Sequence, residues 1–425
     1  MKGADIGSRN AQFTLQSYKG WRVLTEPKKT MPAHTAAPTR VLQLISSMNP
    51  DFGGPQEAAA QIGRSLLAVG IASDIATMDA PDAQWGGDEV IRLGPGRFGP
   101  FCYGNRLARW LRSNARDYGS VIVHGLWQYH GLAARQAVRA TGVPYYVFPH
   151  GMLDPWFKHR YPAKHLKKQL YWSVAERRVL RDAQAVLFTT EEERILARQT
   201  FSGYRANEAV VGFGISDPPR GERAHFLRRY PELQNKRIVL FLGRLHPKKG
   251  CDLLISAFAA VCSREPDLRL VMAGPDQDGY QAVLMRQAEL RGIADRVCWT
   301  GMIKGDLKWG AYYSAEVFIL PSHQENFGIS VAEALACRRP ALISNKVNIW
   351  REIESEECGI VSNDTPAGTL EMLEKWLALS DIERERMGAN ALACFRKHFH
   401  IESTTARLLE TLQITPCTPP HISAA

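Results

Sequence analysis

Short runs of β-branched and large apolar residues recur along the chain and alternate with longer stretches of helical period. The first run, 40–46, reads as a strand. It leads through Asn49-Pro50-Asp51-Phe52-Gly53-Gly54-Pro55 into a helix expected over 56–69 and closed by Gly70. Strand, Gly-Gly turn and helix make the opening unit of a doubly wound sheet. Further strand signals stand at 121–123, 143–148 and 185–190. Glu191-Glu192-Glu193 then opens a helix at the end where its dipole favours acids. Residues 84–100, rich in glycine and charge, read as loop, and 216–221, with its prolines and glycine, is the best linker. Beyond it the architecture repeats, with strands at 237–243, 268–273 and 317–320, helices at 252–261 and 330–337, and a last long helical stretch over 381–412. The fold class is α/β, built on doubly wound parallel sheets.

Length changes this picture only by doubling it: 425 residues exceed one ordinary core, so two domains are expected. They should occupy 39–215 and 237–380, joined through a linker region over 216–236. Helices over 381–413 follow. Residues 1–38 read as a disordered or poorly ordered extension, in which Met31 is a candidate start, and 414–425 read as a loose tail. No apolar run approaches the ~18 residues of a membrane helix, and the first thirty residues lack a signal-peptide core, so a cytoplasmic protein is expected. The eight cysteines are scattered without a Cys-x-x-Cys pair, which points to buried thiols rather than a zinc site or a disulfide framework. A formal charge of +10 favours an anionic partner: a nucleoside diphosphate, a phospholipid surface or nucleic acid. No nucleic-acid-binding signature is present, so no nucleic-acid partner is expected.

Candidate chemistry concentrates at turns that follow strands. After Val317-Phe318-Ile319-Leu320 the chain runs His323-Gln324-Glu325-Asn326-Phe327-Gly328-Ile329 and enters a helix carrying Glu333. Free amides at Phe327, Gly328 and Ile329, with the positive end of the helix dipole, form a usual place for a phosphate. Glu325 and Glu333 can accept hydrogen bonds from sugar hydroxyls on either side. The same spacing also fits an ordinary strand-to-helix turn. Arg244 and Lys249 lie on the turn after the 237–243 strand, where a planar fork and a point charge suit a diphosphate. A plain basic surface loop reads identically. His124 and His150 each end a strand and precede glycine, where ligands gather in parallel sheets. Gly53 and Gly54 let backbone approach a ligand, or merely make a tight turn.

Glu325-Asn326-Phe327-Gly328 followed by Val331-Ala332-Glu333-Ala334 resembles the Glu-x7-Glu signature of retaining glycosyltransferases of family 4, which have the GT-B fold of two Rossmann-like domains facing across a cleft. The resemblance implies that Glu325 contacts the donor sugar, that the amides of Phe327, Gly328 and Ile329 hold a diphosphate, and that Glu333 holds the ribose. Gly243-Arg244-Leu245 with Lys249-Gly250 is similar to that family's diphosphate clamp. The 297–303 segment resembles its base-binding loop, read through backbone near Ile303. By the same resemblance Gly53 and Gly54 lie across the cleft from the donor, His124 and His150 face the donor sugar or the acceptor, and the C-terminal helices cross back to the first domain. Pro149-His150-Gly151-Met152-Leu153 looks like bacterial surface-polysaccharide glycosyltransferases. The implied reaction moves a sugar from a nucleoside diphosphate sugar to a sugar or lipid-linked saccharide acceptor, with retention, in polysaccharide (for example exopolysaccharide) or glycolipid biosynthesis. No metal or other cofactor is expected, since Arg244, Lys249 and the helix N-terminus can neutralise the leaving diphosphate. A nucleotide-sugar epimerase of the same fold and a non-catalytic nucleotide-sugar-binding protein are the alternatives.

One basic segment stands apart. Between positions 158 and 181, eight Lys or Arg face a single acid. Pro162 can start a helix, on which Lys164, Lys167, Lys168, Tyr171 and Arg178 share one stripe beside Leu166, Leu170 and Val174. Such a helix can lie on an anionic membrane surface, making the protein peripheral on the inner face of the cytoplasmic membrane. A solvated face on an ordinary packed helix has the same pattern.

Overall fold

The computed structural model describes residues 40–415 except 88, 220–222 and 277. The expected N-terminal extension with Met31, the Arg220-Gly221 end of the linker and positions 416–425 of the tail lie outside the described residues. Seven strands form the first sheet: β1 (Arg40–Ile45), β2 (Ala72–Thr77), β3 (Val90–Arg92), β4 (Ser120–His124), β5 (Tyr145–Phe148), β6 (Ala185–Phe188) and β7 (Glu208–Val210). Their order is β3-β2-β1-β4-β5-β6-β7 and every pairing is parallel. The second sheet holds β8 (Arg237–Leu242), β9 (Leu268–Ala273), β10 (Val297–Gly301), β11 (Val317–Leu320), β12 (Ala341–Ser344) and β13 (Gly359–Ser362). It runs β10-β9-β8-β11-β12-β13, again all parallel. The fold is GT-B, two Rossmann-like lobes.

The apolar runs explain the layering. β4, β5, β6, β11 and β12 are buried along their whole length, as strands must be when helices cover both faces of a sheet. In each sheet the order reverses beside the first strand, between β1 and β4 and between β8 and β11. At such reversals the loops at the strands' carboxyl ends diverge and leave a crevice. Gly53 follows β1, His124 ends β4 and His150 follows the neighbouring β5 in one lobe; Arg244 follows β8 and Glu325 follows β11 in the other.

Two expectations need correction. Residues 84–100 are not all loop, because Val90–Arg92 pairs with β2 as an edge strand. The 381–412 stretch is not one helix either. It divides into Asp381–Cys394, a wide turn over Phe395–Phe399, and Ile401–Leu412. His400 breaks it with an extended backbone, and its ring accepts from Glu402 N to cap the next helix. Leu408, Leu409 and Leu412 of that last helix are buried with Val41, Ile122 and Phe148 of the first lobe, so the chain does return there.

Candidate functional site

A cleft of about 810 Å³ is walled by both lobes. The first lobe contributes Gly53, Gly54, His150 and Thr189; the second contributes Arg244, Lys249, Ile303, Glu325, Phe327, Gly328, Ile329 and Glu333. Twelve residues scattered over nearly three hundred positions therefore border one space.

The second-lobe wall is assembled from backbone first. Gly328 takes φ +82°, a left-handed conformation, and stands just before the helix Ile329–Ala336. No side chain caps that helix, so its first amides keep their hydrogen-bonding capacity for the cleft. The Phe327 ring is buried between Phe213, at 5.2 Å, and Phe399, at 5.5 Å, which pins the turn from behind while its backbone lines the cleft. Lys249 forms an ion pair with Glu325. Gly250 lets the lysine turn close against the end of β11: a Cβ there would lie 2.1 Å from Pro321 O, and φ is +66°. Glu333 accepts from Lys308 Nζ at 2.7 Å and from the buried Tyr312 hydroxyl at 3.0 Å. Sequence reading missed both partners, although their i, i+4 spacing on the helix Gly305–Ser314 places them on one face.

In the first lobe the two histidines separate. His150 borders the cleft, with φ +49°. His124 does not border it; the structure corrects the expectation that both face a sugar. It is wholly buried behind His150, with its Nδ1 2.9 Å from His150 Nε2 and its Nε2 2.9 Å from Gln43 Oε1. Burial, then the neighbouring His150 and His130, hold its pKa well below 6.5. Burial alone lowers His150 to about 4. Glu193, read from sequence only as part of an acidic helix start, is buried and ties two strand-end turns together. It accepts from Gly151 N at 2.6 Å and from Thr189 N at 2.8 Å. Its burial raises its pKa, against those hydrogen bonds. Across the cleft Gln324 Nε2 donates to Asp154 Oδ2 at 2.8 Å, and Arg351 pairs with Glu192 at 2.7 Å.

Residues 223–393 match the family of glycosyl transferases group 1, and residues 53–214 match the glycosyl transferase 4-like domain. The chain belongs to the group 1 glycosyltransferases, of GT-B fold. The glycosyltransferase is 26% identical to mannosylfructose-phosphate synthase of Agrobacterium fabrum, over 71% of this chain and 73% of that one. It is 33% identical to alpha-D-kanosaminyltransferase of Streptomyces kanamyceticus, over 51% of this chain and 57% of that one. Against several D-inositol 3-phosphate glycosyltransferases it likewise spans little more than half of the relative's length. Among solved structures, Anabaena HepE in complex with UDP and glucose superposes with a TM-score of 0.68 at 18% identity, over 88% of this chain and 99% of that one. Sucrose-phosphate synthase of Thermosynechococcus elongatus gives 0.67 at 20%, over 88% and 98%.

An Asp-x-Asp triplet, Asp276-Gln277-Asp278, occurs in the glycosyltransferase. Gln277 lies outside the described residues, Asp276 accepts from Gln281 N at 2.9 Å, and neither aspartate borders the cleft. Among the described residues no group of three His, Cys, Asp or Glu side chains could hold a metal.

The basic helix forms as Pro162–Tyr171, away from the cleft lining. Leu166, Leu170 and Val174 are 72%, 71% and 57% exposed, an apolar row open to solvent. Lys164 and Lys167 are exposed beside it. Lys168 leaves the expected stripe: its Nζ lies 4.7 Å from the centre of the Trp127 ring, and burial lowers its pKa. Tyr171 also turns inward, against Phe101. No helix among the described residues is long and apolar enough to cross a membrane.

Buried neutral histidines make stability depend on pH. His130 is held at about 4 by burial. Between that value and about 6.5 the unfolded chain binds the extra proton and the folded one does not, so stability present above pH ~6.5 is lost as pH falls. Glu176, pushed up to about 8 by burial, acts in the opposite sense as pH rises. Comparing wild type with His130→Gln cancels that second trend. The variant should lose less stability than wild type between pH 7 and 5, by up to about 1.4 kcal/mol per pH unit. Parallel melting curves across that range would contradict a neutral buried His130.

Proposed function

We propose that the protein transfers a sugar from a nucleoside diphosphate sugar to an acceptor hydroxyl with retention of configuration, in polysaccharide or glycolipid biosynthesis. The observation that carries this reading is the grouping of Arg244, Lys249, Glu325, Glu333 and the uncapped helix N-terminus around one cleft. Two cations and free amides suit the diphosphate, Glu333 the ribose, and Glu325 the sugar between them. In the reaction the bond from the anomeric carbon to the phosphate oxygen breaks and a bond to the acceptor oxygen forms on the same face. The acceptor's proton passes to the leaving phosphate oxygen. Arg244, Lys249 and the amides can stabilise the charge that develops there without a divalent cation. Solved proteins of this fold were captured with UDP and with UDP-glucose, which makes UDP-sugars the first donors to try. A thermal-shift panel of nucleotide sugars tests the donor class. One nucleoside diphosphate sugar should raise Tm well above the rest, whereas a flat response across the panel would remove a nucleotide-sugar donor from the account.

A peripheral position on the cytoplasmic face of a membrane belongs to the same reading, supported by the exposed Leu166, Leu170 and Val174 beside Lys164 and Lys167. Apolar residues inserted among headgroups and cations near anionic lipid reinforce each other, each cation adding about 1 kcal/mol. The chain should sediment with anionic vesicles at low salt and much less with neutral ones. A Lys164/Lys167→Gln variant should lose that binding. Sedimentation indifferent to lipid charge, salt and substitution would argue for a soluble acceptor.

A further inference from the structure

Gln43 is wholly buried in the middle of β1, among Val41, Leu42, Leu44 and Ile45. An amide costs stability there unless its groups are paired. Its nitrogen donates to Ala59 O at 3.1 Å and meets Ser73 Oγ at 3.0 Å. Gly63, on the helix above, makes the room: a Cβ at that position would stand 3.4 Å from the same nitrogen. A carbonyl oxygen such as Ala59 O can only accept, so the amide has one orientation and its Oε1 must be the atom facing His124 Nε2, 2.9 Å away.

From that point protons can be placed in sequence. Gln43 Oε1 only accepts, so His124 Nε2 carries a proton. A neutral imidazole holds one, and His124 is kept neutral by burial between other rings. Its Nδ1 is then a bare lone pair, and His150 Nε2 lies 2.9 Å from it. His150 Nε2 must therefore be the donor. The remaining nitrogen, His150 Nδ1, keeps its lone pair and has no hydrogen-bond partner among the described residues, in a residue that borders the cleft. Ring orientations are fixed as well: His124 and His150 lie edge to edge with centroids 5.2 Å apart and planes within 13°, as an in-plane N–H···N bond requires, and the Phe148 ring is nearly parallel to both.

We propose that Gln43 and His124 are positioning residues that hold His150 as its Nε2–H tautomer, so that His150 meets a sugar hydroxyl in the cleft as a hydrogen-bond acceptor and not as a donor. The hydroxyl is the part that rests on the glycosyl-transfer reading; the tautomer does not. A donor at this position would suit a carbonyl or ether oxygen; a fixed lone pair selects a hydroxyl. Either the transferred sugar or the acceptor can supply that hydroxyl.

Long-range proton–nitrogen NMR on the full chain with ring-¹⁵N histidine reads the tautomers directly, without turnover. In wild type at pH 6.5–8, His124 and His150 should both show protonated Nε2 and bare Nδ1. A protonated Nδ1 on His150 overturns the proposal whether or not the protein transfers sugar. In Gln43→Leu the first acceptor is gone, and the two rings should become a mixture of tautomers while UDP still raises Tm as in wild type. Its kcat/KM for sugar transfer should fall about tenfold, the scale of one misdirected hydrogen bond. A rise in acceptor KM assigns the hydroxyl to the acceptor; a fall confined to kcat/KM for the donor assigns it to the transferred sugar. Should Gln43→Leu fail to fold, His124→Leu removes the acceptor that faces His150 Nε2, and unchanged His150 shifts in that variant would equally overturn the proposal. Full activity in a folded Gln43→Leu protein with scrambled tautomers would also overturn it.

Discussion

Lys249→Ala is expected to lower kcat/KM for the sugar donor by roughly 10²–10³-fold, the scale of losing one donor to a developing oxyanion, while the protein still folds. Lys249 lies on the turn after β8, at the mouth of a cleft it shares with Arg244 and the helix start at Ile329. The lysine and Glu325 are paired in the absence of ligand. On the proposed reading a diphosphate entering the cleft takes over the cation, and Glu325 is released toward the sugar. Alanine removes the charge that the leaving group needs and also leaves Glu325 without its partner. Steady-state kinetics beside a melting curve check this. A variant that melts normally and keeps full activity with every donor would show that the phosphates lie elsewhere.

The paired glutamates should fail in different ways. Glu333→Gln keeps the shape and the contact with Tyr312 but loses the charge that pairs with Lys308. Its effect should be mainly on donor KM, by about 1–2 kcal/mol, because on the proposed reading Glu333 holds the ribose, which would be bound equally in the ground and transition states. On the proposed reading Glu325 touches the reacting sugar, so Glu325→Gln should lower kcat more, by roughly 10²-fold on the same scale as other transition-state contacts. Kinetic constants for both variants on one donor separate the roles. Equal effects of the two substitutions on kcat and KM would contradict the division.

What the sequence disclosed were the places where local chemistry is dense. A fully apolar run such as Val317–Leu320, cut short by Pro321, reads as a buried strand, and the glycines after such runs mark turns whatever the distant context. Harder to see were strands with mixed composition. β2 carries Ser73 and Asp74, of which Asp74 accepts from Arg40 and from Tyr118, both far along the chain. β13 opens with Gly359, where a Cβ would stand 2.0 Å from Ala341 O, so only glycine fits the pairing with β12. In the site, His124 and His150 looked equivalent, each ending a strand before glycine. Only the three-dimensional pairing with Gln43 shows one standing behind the other. Lys168 failed for a related reason. Helical spacing says which residues share a stripe but not that Trp127, forty-one positions earlier, offers an aromatic face to a long side chain.

Retention on transfer from a nucleoside diphosphate sugar is the centre of the account, and slow hydrolysis of the donor tests it without knowledge of the acceptor. With water in place of the acceptor, proton NMR of the freshly released sugar reports its anomeric configuration before mutarotation scrambles it. A donor with an α-linked sugar should release the α anomer first, at a rate that falls with Lys249→Ala. First release of the β anomer, from the same donor and cleft, would contradict same-face displacement and with it the reaction proposed here.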